Sequence, residues 1–230
     1  MTTTTSPDIV RDFPRVSSAI VKRAAQFQPA ILADVNGRRG ALHGRIQALR
    51  PRMKLAGPAL TVEVRPGDNL MIHAAMALAK PGDILVIDGK ADQTAALMGT
   101  IMINACIKLG IAGVVIDGAA RDSLEIDELD FPVFSVGTNP NGPTKSVAGR
   151  IGHPVTVGGV VVHAGDFVMA DADGVMVVER EKIESLLPLA AKKVADENAR
   201  VAAIGQGNTG APWLAAALVN AGVLKQGESL

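Results

Sequence analysis

One short segment, residues 118–125, contains the side chains best suited to chemistry. It reads Gly-Ala-Ala-Arg-Asp-Ser-Leu-Glu and directly follows an apolar run that ends at Asp117. In parallel α/β architecture, ligands collect beyond the carboxyl ends of the strands. The guanidinium of Arg121 can bind a carboxylate through two hydrogen bonds. The carboxylate of Asp122 can bind a hard divalent cation such as Mg²⁺, with waters in most other positions. The segment therefore predicts a site for an anion and a metal ion.

The same residues also have a purely structural interpretation. Asp122 followed by Glu125 three positions later matches the N-cap residue and capping box of a helix, in which side chains satisfy backbone N–H groups. Ion binding and helix capping do not exclude each other. The residues alone leave both interpretations open.

Other familiar catalytic signatures are absent from the sequence. There is no Gly-x4-Gly-Lys-Ser/Thr loop, no His-Glu-x-x-His, no Cys-x-x-Cys and no Gly-x-Ser-x-Gly. The single cysteine, Cys106, lies among apolar residues and is interpreted as a small buried side chain. His73 follows an apolar stretch and is interpreted as a packed helix residue, while the other histidines show no paired spacing. No histidine-based metal or nucleophile site is predicted.

A strand–helix–strand passage must position the segment 118–125. Residues 81–88 and 111–117 are short apolar runs bounded by turn residues, which predicts two buried strands. Residues 94–109 are long enough for a helix, and Gly110 stands where a C-cap glycine belongs. Two continuous apolar strands flanking a helix predict a parallel βαβ unit.

The rest of the chain predicts a layered α/β fold with helices at both ends. The predicted elements are helices within 9–49 (one opened by Pro29), a strand at 54–64, a buried helix at 70–80, short strands over 131–178 with a hairpin turn at 171–174, an amphipathic helix at 179–203 that includes Pro188, and an apolar helix at 212–223. We predict a disordered N-terminus (1–8), a single α/β domain (9–204), and a Gly-rich hinge with a C-terminal helix (205–230).

Composition excludes several classes of protein. Of 230 residues, 48% are hydrophobic and 20% charged, which excludes disorder over the whole chain. The 23 basic and 23 acidic residues cancel, and aromatic residues make up 3% with no tyrosine, so neither nucleic acid nor membrane is an expected partner. No apolar run approaches the roughly 18–20 residues of a membrane span. One cysteine and an N-terminus without a signal pattern lead us to expect a soluble cytoplasmic protein.

A series of phrases along the chain resembles the metal-dependent, class II pyruvate aldolases. The central one is Gly99, then 21 residues, then Arg121-Asp122-x-x-Glu125. The further matching phrases, in family order, are Leu55–Thr61, Pro66–Asn69, Ile72–His73, Pro81–Asp83, Gly113–Gly118, Gly165–Asp166 and Ala170–Val175. The family in question is that of the 4-hydroxy-4-methyl-2-oxoglutarate / 4-carboxy-4-hydroxy-2-oxoadipate aldolases. Its members share their fold with the regulator-of-ribonuclease-activity-A proteins. The resemblance implies a β/β/α sandwich of the swivelling-domain type.

The resemblance also implies roles for individual residues. After Gly99, the backbone N–H groups of Ile101 and Met102 would bind the carboxylate of pyruvate, at a helix N-terminus that favours an anion. Arg121 would contact the pyruvyl oxygens. Asp122 would bind the metal directly, and the implied metal is Mg²⁺ or Mn²⁺.

Three further acidic residues are expected to act outside the direct ligands of the metal. Glu125 fills the last acidic position of the motif, with helix capping as its alternative role, and Asp117 is assigned to the same outer layer. In the family, a glutamate of the C-terminal helix reaches the metal-bound waters of a neighbouring subunit. Glu197 is the best match, and its alternative is an exposed helix residue.

One position departs from the family pattern. Active aldolases of this type carry an acid immediately after the motif glycine, where this sequence has Thr100. A hydroxyl can hold a water molecule but cannot accept a proton at neutral pH. The departure predicts weak aldol cleavage or a different substrate.

The function implied by the resemblance is a Mg²⁺- or Mn²⁺-dependent lyase. It would cleave 4-hydroxy-2-oxo diacids to pyruvate and decarboxylate oxaloacetate. The alternative is a non-catalytic regulator that binds a protein partner, as the ribonuclease-regulating relatives do. The family's three-fold rings imply a homotrimer or hexamer. The apolar segment 212–223, which contains Trp213, independently favours an interface.

Overall fold

A computed structural model describes residues 8–228 of the chain. The chain divides into two compact units, of which the first ends at Ala190 and the second begins at Ala191. The predicted domain boundary at 204/205 stays a prediction. Of the N-terminus predicted to be disordered, residues 1–7 lie outside the described part.

The described residues form ten strands and seven helices. The strands are β1 (Gln47–Ala48), β2 (Leu55–Glu63), β3 (Ile84–Met98), β4 (Gly113–Ala120), β5 (Val133–Thr138), β6 (Arg150–Ile151), β7 (Val155–Val157), β8 (Val160–Val162), β9 (Phe167–Asp171) and β10 (Gly174–Val178). The helices are α1 (Ser18–Ala24), α2 (Pro29–Val35), α3 (Leu70–Leu78), α4 (Thr100–Leu109), α5 (Ser123–Glu128), α6 (Ile183–Gly205) and α7 (Leu214–Asn220).

The main sheet has four parallel strands at its centre. Its order is β1-β5-β4-β3-β2-β9-β10, with β6 also paired to β2, while β7 and β8 form a separate small sheet. Strands β2, β3, β4 and β5 pair in parallel, and the outer pairs are antiparallel. Helices α3, α4 and α5 connect the parallel strands in turn. The predicted α/β fold and its βαβ unit are confirmed, as is the β9–β10 hairpin.

Apolar strands explain why the sheet lies in the core. Every residue of β4 is buried, and so are the first six residues of β3. Continuous apolar strands are typical of parallel sheets that are covered on both faces. The carboxyl ends of these parallel strands therefore lie at the same edge of the buried sheet.

Two element boundaries differ from the prediction, and both differences lie beside the candidate site. Residues 94–98, predicted as helix, continue β3, because Ala96 and Met98 pair with Ala119 and Ala120 of β4. Strand β4 likewise runs to Ala120 rather than ending at Asp117. The sequence Ala-Ala-Leu-Met favours a helix locally, but strand pairing and burial outweigh this preference. The helix begins at Thr100 and ends, as predicted, at Gly110 in a left-handed conformation.

Helix α4 contains the only cysteine of the sequence. Cys106 is fully buried, as predicted. Its burial raises the pKa of the thiol to about 12. The thiol is therefore protonated and unreactive in the folded protein.

The second unit, from Ala191 onward, contains most of α6 and all of α7. No residue of α7 is buried, and Trp213, just before it, is 67% exposed. Within the Gly-rich segment predicted as a hinge, the carbonyls of Asn208, Thr209 and Gly210 accept hydrogen bonds of 2.8–2.9 Å from the guanidinium of Arg200. Over residues 8–228, no helix is both long and apolar enough to span a membrane.

Candidate active site

A small cavity lies where β3 and β4 end and α4 begins. It has a volume of about 120 Å³, which is roughly the volume of four water molecules at ~30 Å³ each. Four residues predicted from the family motif line it, namely Gly99, Ile101, Met102 and Arg121. The remaining lining residues are Asn69, His73, Leu97, Met98, Pro143 and Lys145. The cavity has room for a small molecule.

Asp122 lies next to this cavity in an unusual backbone conformation. It is the N-cap residue of α5, with φ 59° and ψ 41°, in the left-handed region. Among residues other than glycine this region is uncommon, although aspartate tolerates it better than most. Such a conformation is found more often at functional sites, where the surrounding structure maintains it.

The carboxylate of Asp122 does not cap its own helix. Asp122 occupies the N-cap position, as the structural interpretation expects, but its side chain makes no capping bond to α5, so no capping box forms. Instead, Asp122 Oδ2 accepts a hydrogen bond of 3.0 Å from the backbone N–H of Thr100, the first residue of α4. Because of its left-handed backbone, Asp122 directs its carboxylate to the neighbouring helix. The second oxygen, Oδ1, makes no hydrogen bond to any residue from 8 to 228.

Gly99 is required because Asp122 and Arg121 occupy the space of a side chain. A Cβ atom at position 99 would lie less than 3.0 Å from Asp122 Oδ2 and 2.9 Å from Cγ of Arg121. The backbone of Gly99 is extended, with φ −145°, so the limitation is space rather than strain. The glycine of the motif thus allows both functional side chains to approach α4.

We therefore expect the Gly99→Ala variant to fold but to lose activity. The added methyl group displaces Asp122 and Arg121, and a displacement of about 1 Å can cost up to about 100-fold in rate. Pyruvate release by purified enzyme is the measurement. The matched control is Gly44→Ala, since a Cβ at Gly44 meets nothing within 4 Å. Equal activity of the two variants would contradict this account.

The N-terminus of α4 offers one backbone N–H group to a ligand. The N–H of Thr100 binds Asp122, and the N–H groups of Met102 and Ile103 both bind the carbonyl of Gly99, at 3.0 and 3.1 Å. The N–H of Ile101 has no acceptor among the described residues. Of the two amides predicted to bind a carboxylate, Ile101 is thus available and Met102 is engaged within the helix.

Arg121 is positioned for binding an anion. Its Nε lies 3.6 Å from Asp122 Oδ2, beyond a good hydrogen bond, and its own N–H is anchored to the carbonyl of Met98 at 3.0 Å. The guanidinium donates no hydrogen bond to any of residues 8–228. Its donors therefore face the cavity without protein competitors.

The cavity lining also contains residues that the sequence prediction missed. Asn69 is 2% exposed, donates from Nδ2 to the carbonyl of Leu97 at 2.9 Å, and leaves its buried Oδ1 without a partner. Lys145 is exposed and forms no ion pair with a described residue. Buried polar atoms without a partner are uncommon in native proteins and indicate a ligand or water.

His73 also differs from its prediction. It is exposed at the cavity rather than packed within α3. Partial removal of its ring from water, and then the positive charge of Lys145, lower the pKa of His73 below its ordinary value. The imidazole is thus more fully neutral near pH 7 than an ordinary histidine.

One buried carboxylate, Asp68, accepts hydrogen bonds from two of the segments that line the cavity. Its Oδ2 accepts hydrogen bonds from the hydroxyl of Thr144 (2.7 Å) and the N–H groups of Ser146 (2.8 Å) and Val147 (3.2 Å). Its Oδ1 accepts from the N–H of Leu70 (3.0 Å). Burial alone would raise the pKa of Asp68, but these hydrogen bonds outweigh it and lower the pKa to about 2 from an ordinary 3.8.

Asp68 should therefore contribute to stability in a pH-dependent way. Because its pKa is lower in the folded chain, its contribution is complete above about pH 4 and is lost as the pH falls through 2. The pKa difference corresponds to about 2 kcal/mol of unfolding free energy. Urea unfolding of the wild type and Asp68→Asn should show this gap at pH 6 and a much smaller gap at pH 2. A gap that does not change with pH would contradict the assignment.

Three other predicted residues of the first unit, Asp117, Glu125 and Thr100, do not line the cavity. Asp117 is buried and bound by the guanidinium of Arg45 at 2.8 Å and the N–H of Gly158 at 2.9 Å, and it does not line the cavity. Glu125 is exposed on α5. Glu197 lies in the second unit, paired with Lys193 at 3.1 Å, and its role toward a neighbouring subunit stays a prediction. The Thr100 hydroxyl is buried without a partner.

The residues present fit a magnesium-type ion held mainly by water and substrate. Within residues 8–228, no group of three or more His, Cys, Asp or Glu side chains could hold a metal. Asp122 is the one carboxylate beside the cavity, with its side chain 35% exposed and Oδ1 available. Mg²⁺ is commonly bound by one or two carboxylates, several waters and substrate oxygens. The donor set matches that mode and not a zinc centre with three protein ligands.

Comparison with known proteins relates the chain to aldolases and to ribonuclease regulators. A protein of Halalkalibacterium halodurans, provisionally named a 4-hydroxy-4-methyl-2-oxoglutarate aldolase, is 43% identical over 163 residues, covering 71% of this chain and 78% of its own. The crystal structure of a Streptomyces coelicolor protein described as an unusual member of the RNase ES inhibitor RraA family matches with a TM-score of 0.74 and 28% identity, over 81% of this chain and 99% of that one.

A third relative has a shorter match. The RNA-processing inhibitor RraA from Thermus thermophilis matches with a TM-score of 0.61 and 28% identity, over 66% of this chain and 92% of its own. The family model described as RraA-like, Aldolase/RraA, matches residues 14–177. This range contains every residue that lines the cavity, together with Asp122. The chain therefore belongs to the RraA-like family of aldolases and RraA proteins.

Proposed function

We propose that this protein is a divalent-metal-dependent lyase that releases pyruvate from 4-hydroxy-2-oxo diacids of the 4-hydroxy-4-methyl-2-oxoglutarate type. We propose that the same site decarboxylates oxaloacetate. The observation that carries the proposal is the approach of Asp122 and Arg121 to the N-terminus of α4, at one cavity. An inhibitor surface would not require a carboxylate in a strained backbone conformation at this place.

The charges around the cavity suit a dianion. The N–H of Ile101 and the N-terminal end of α4 favour the carboxylate next to the oxo group. The guanidinium of Arg121 can bind the oxo and carboxylate oxygens together. Lys145 supplies a second cation to the cavity lining, suited to the carboxylate at the other end of the substrate. Mg²⁺ or Mn²⁺ beside Asp122, when bound, would act as a Lewis acid that polarises the 2-oxo group.

The protein's task in the reaction is to stabilise an enolate. In aldol cleavage, the C3–C4 bond breaks, its electron pair moves to C3, and the C4 hydroxyl loses its proton as the C4 carbonyl forms. In decarboxylation, the bond to the departing CO₂ supplies the same electron pair. The negative charge is shared with the carbonyl oxygen, where Arg121 donates hydrogen bonds, and protonation at C3 gives pyruvate.

Thr100 distinguishes between these two reactions. Aldol cleavage needs a group that removes the C4 hydroxyl proton, whereas decarboxylation of oxaloacetate does not. Since threonine cannot accept a proton at neutral pH, we expect decarboxylation to be faster than aldol cleavage. A Thr100→Asp variant should raise aldol cleavage by about tenfold and leave decarboxylation within about twofold, on the usual scale of general base catalysis. A parallel change in both rates would contradict this role.

Pyruvate release in a coupled assay tests the function directly. Oxaloacetate and 4-hydroxy-4-methyl-2-oxoglutarate are supplied with Mg²⁺ or Mn²⁺, and then with EDTA. The expected result is release with either metal and its loss with EDTA. The absence of metal-stimulated release from both substrates would overturn the proposal.

The second candidate function is a regulator that binds a protein. It is favoured by the solved relatives described as RraA inhibitors and by Thr100 in the acid position. A regulator would release no pyruvate. Its binding would also be insensitive to Asp122→Asn.

We also propose that the chain assembles into a homotrimer or hexamer. The exposed Trp213 and the absence of buried residues in α7 support an interface there. Light scattering of the purified protein measures the mass. A fully active monomer would exclude both the ring and a role for Glu197 across a boundary.

A further inference from the structure

Part of the cavity wall depends on a loop that has no regular structure of its own. Residues 143–147 contribute Pro143 and Lys145 to this wall. The loop is attached to the segment just before α3, since the N–H of Thr144 donates to the carbonyl of Gly67 at 2.8 Å and the N–H of Asn69 donates to the carbonyl of Thr144 at 3.0 Å. The loop and the start of α3 therefore form one structural piece.

Asp68 fixes the loop on both sides of Lys145. Three groups donate hydrogen bonds to Oδ2 of Asp68. One is the hydroxyl of Thr144, the residue before Lys145, and the other two are the N–H groups of Ser146 and Val147, the residues after it. Asp68 itself is 1% exposed and does not line the cavity. Asp68 therefore makes no contact with a ligand in the cavity, and its structural influence passes through the residues that it holds.

We infer that Asp68 is a positioning residue, which holds the ammonium group of Lys145 at the cavity so that the site selects substrates with a second carboxylate. The substrate class in this inference rests on the proposed function. An aspartate suits the task because its carboxylate only accepts hydrogen bonds, and the four closest donors around it are all directed at it. Asparagine would place N–H donors against one or more of these groups.

A double-mutant cycle with Asp68→Asn and Lys145→Gln tests the inference. Lys145→Gln should lower kcat/KM for a 4-hydroxy-2-oxo diacid about tenfold, chiefly through KM, as expected for one lost charged hydrogen bond. It should leave a 4-hydroxy-2-oxo monoacid within about twofold. Asp68→Asn should cause a similar but smaller loss of about fivefold, and none when Lys145→Gln is already present. Equal losses in both backgrounds would overturn the inference, because Asp68 would then act independently of Lys145.

A second readout does not require activity. The charge of Lys145 contributes to lowering the pKa of His73, so His73 reports the position of Lys145. In NMR titrations, Lys145→Gln should raise the pKa of His73 in the wild type and raise it much less in the Asp68→Asn background. An equal rise in both backgrounds shows that Asp68 does not hold Lys145. If the wild type releases no pyruvate, the proposed function fails, and this titration still decides the role of Asp68.

Two further variants separate positioning from loss of stability. Thr144→Val removes one of the four donors without changing the size of the side chain, and it should reproduce a part of the Asp68→Asn effect if that variant does not fold. Asp166→Asn is the matched control, because Asp166 is also buried and accepts backbone N–H groups, from His163 and Arg180, outside the cavity. A loss of diacid selectivity in Asp166→Asn equal to that in Asp68→Asn would overturn the inference.

Discussion

The Asp122→Asn variant is expected to lose metal-dependent pyruvate release by about 10³-fold. Asparagine tolerates the left-handed backbone, and its side-chain oxygen can still accept the hydrogen bond from the N–H of Thr100. The variant should therefore fold normally, and its one deficit is the negative charge that would bind a divalent cation. Steady-state kinetics over a range of Mg²⁺ concentrations measure the loss.

A matched control for Asp122→Asn lies on the same helix. Glu128→Gln also removes one negative charge from α5, at an exposed position that does not line the cavity. It should retain nearly full activity. If Asp122→Asn retains full activity with added Mg²⁺, Asp122 is not the metal ligand.

The Arg121→Lys variant is expected to lose about 10²- to 10³-fold in kcat/KM, with most of the loss in kcat. Lysine retains the positive charge but lacks the planar set of donors that binds two oxygens at once. Because the enolate oxygen carries most charge in the transition state, the missing donors affect the rate more than substrate binding. Steady-state kinetics with oxaloacetate measure both parameters.

The comparison for Arg121→Lys is Arg23→Lys, at an exposed arginine of α1. That variant should be indistinguishable from the wild type. A higher KM with unchanged kcat in Arg121→Lys would show that Arg121 binds the substrate without stabilising the enolate.

Local patterns are sufficient to predict the parallel core. The apolar runs before Asp88 and Asp117, and Gly110 after the helix, specify the βαβ unit without information from the rest of the chain. The family motif, and not the local pattern, predicts Gly99, Ile101 and Met102 as site residues, and the helix predicted over residues 94–109 contains Gly99. Gly99, Ile101, Met102 and Arg121 do line one cavity.

The lining from residues 69–73 and 143–145 could not be predicted in this way, because its contacts join distant segments. Asp68 and Thr144 are separated by 76 positions, and their hydrogen bond forms only when the segment after β2 and the loop after β5 meet. The helix predicted over residues 94–109 differs from the structure for a related reason, since the strand state of residues 94–98 depends on the pairing of Ala96 and Met98 with Ala119 and Ala120. Asp122 occupies the N-cap position without a capping bond, because its carboxylate binds the N–H of Thr100 in the neighbouring helix.

The buried thiol of α4 gives the protein an internal reporter of local opening. Because its pKa is raised to about 12, the Cys106 thiol stays protonated near pH 7, and its burial shields it from reagents. Labelling by a thiol reagent therefore requires α4 to detach from the sheet. The same helix begins at Thr100, beside the cavity. Labelling would consequently slow when a ligand occupies the helix N-terminus, so that one native side chain measures occupancy without any added probe.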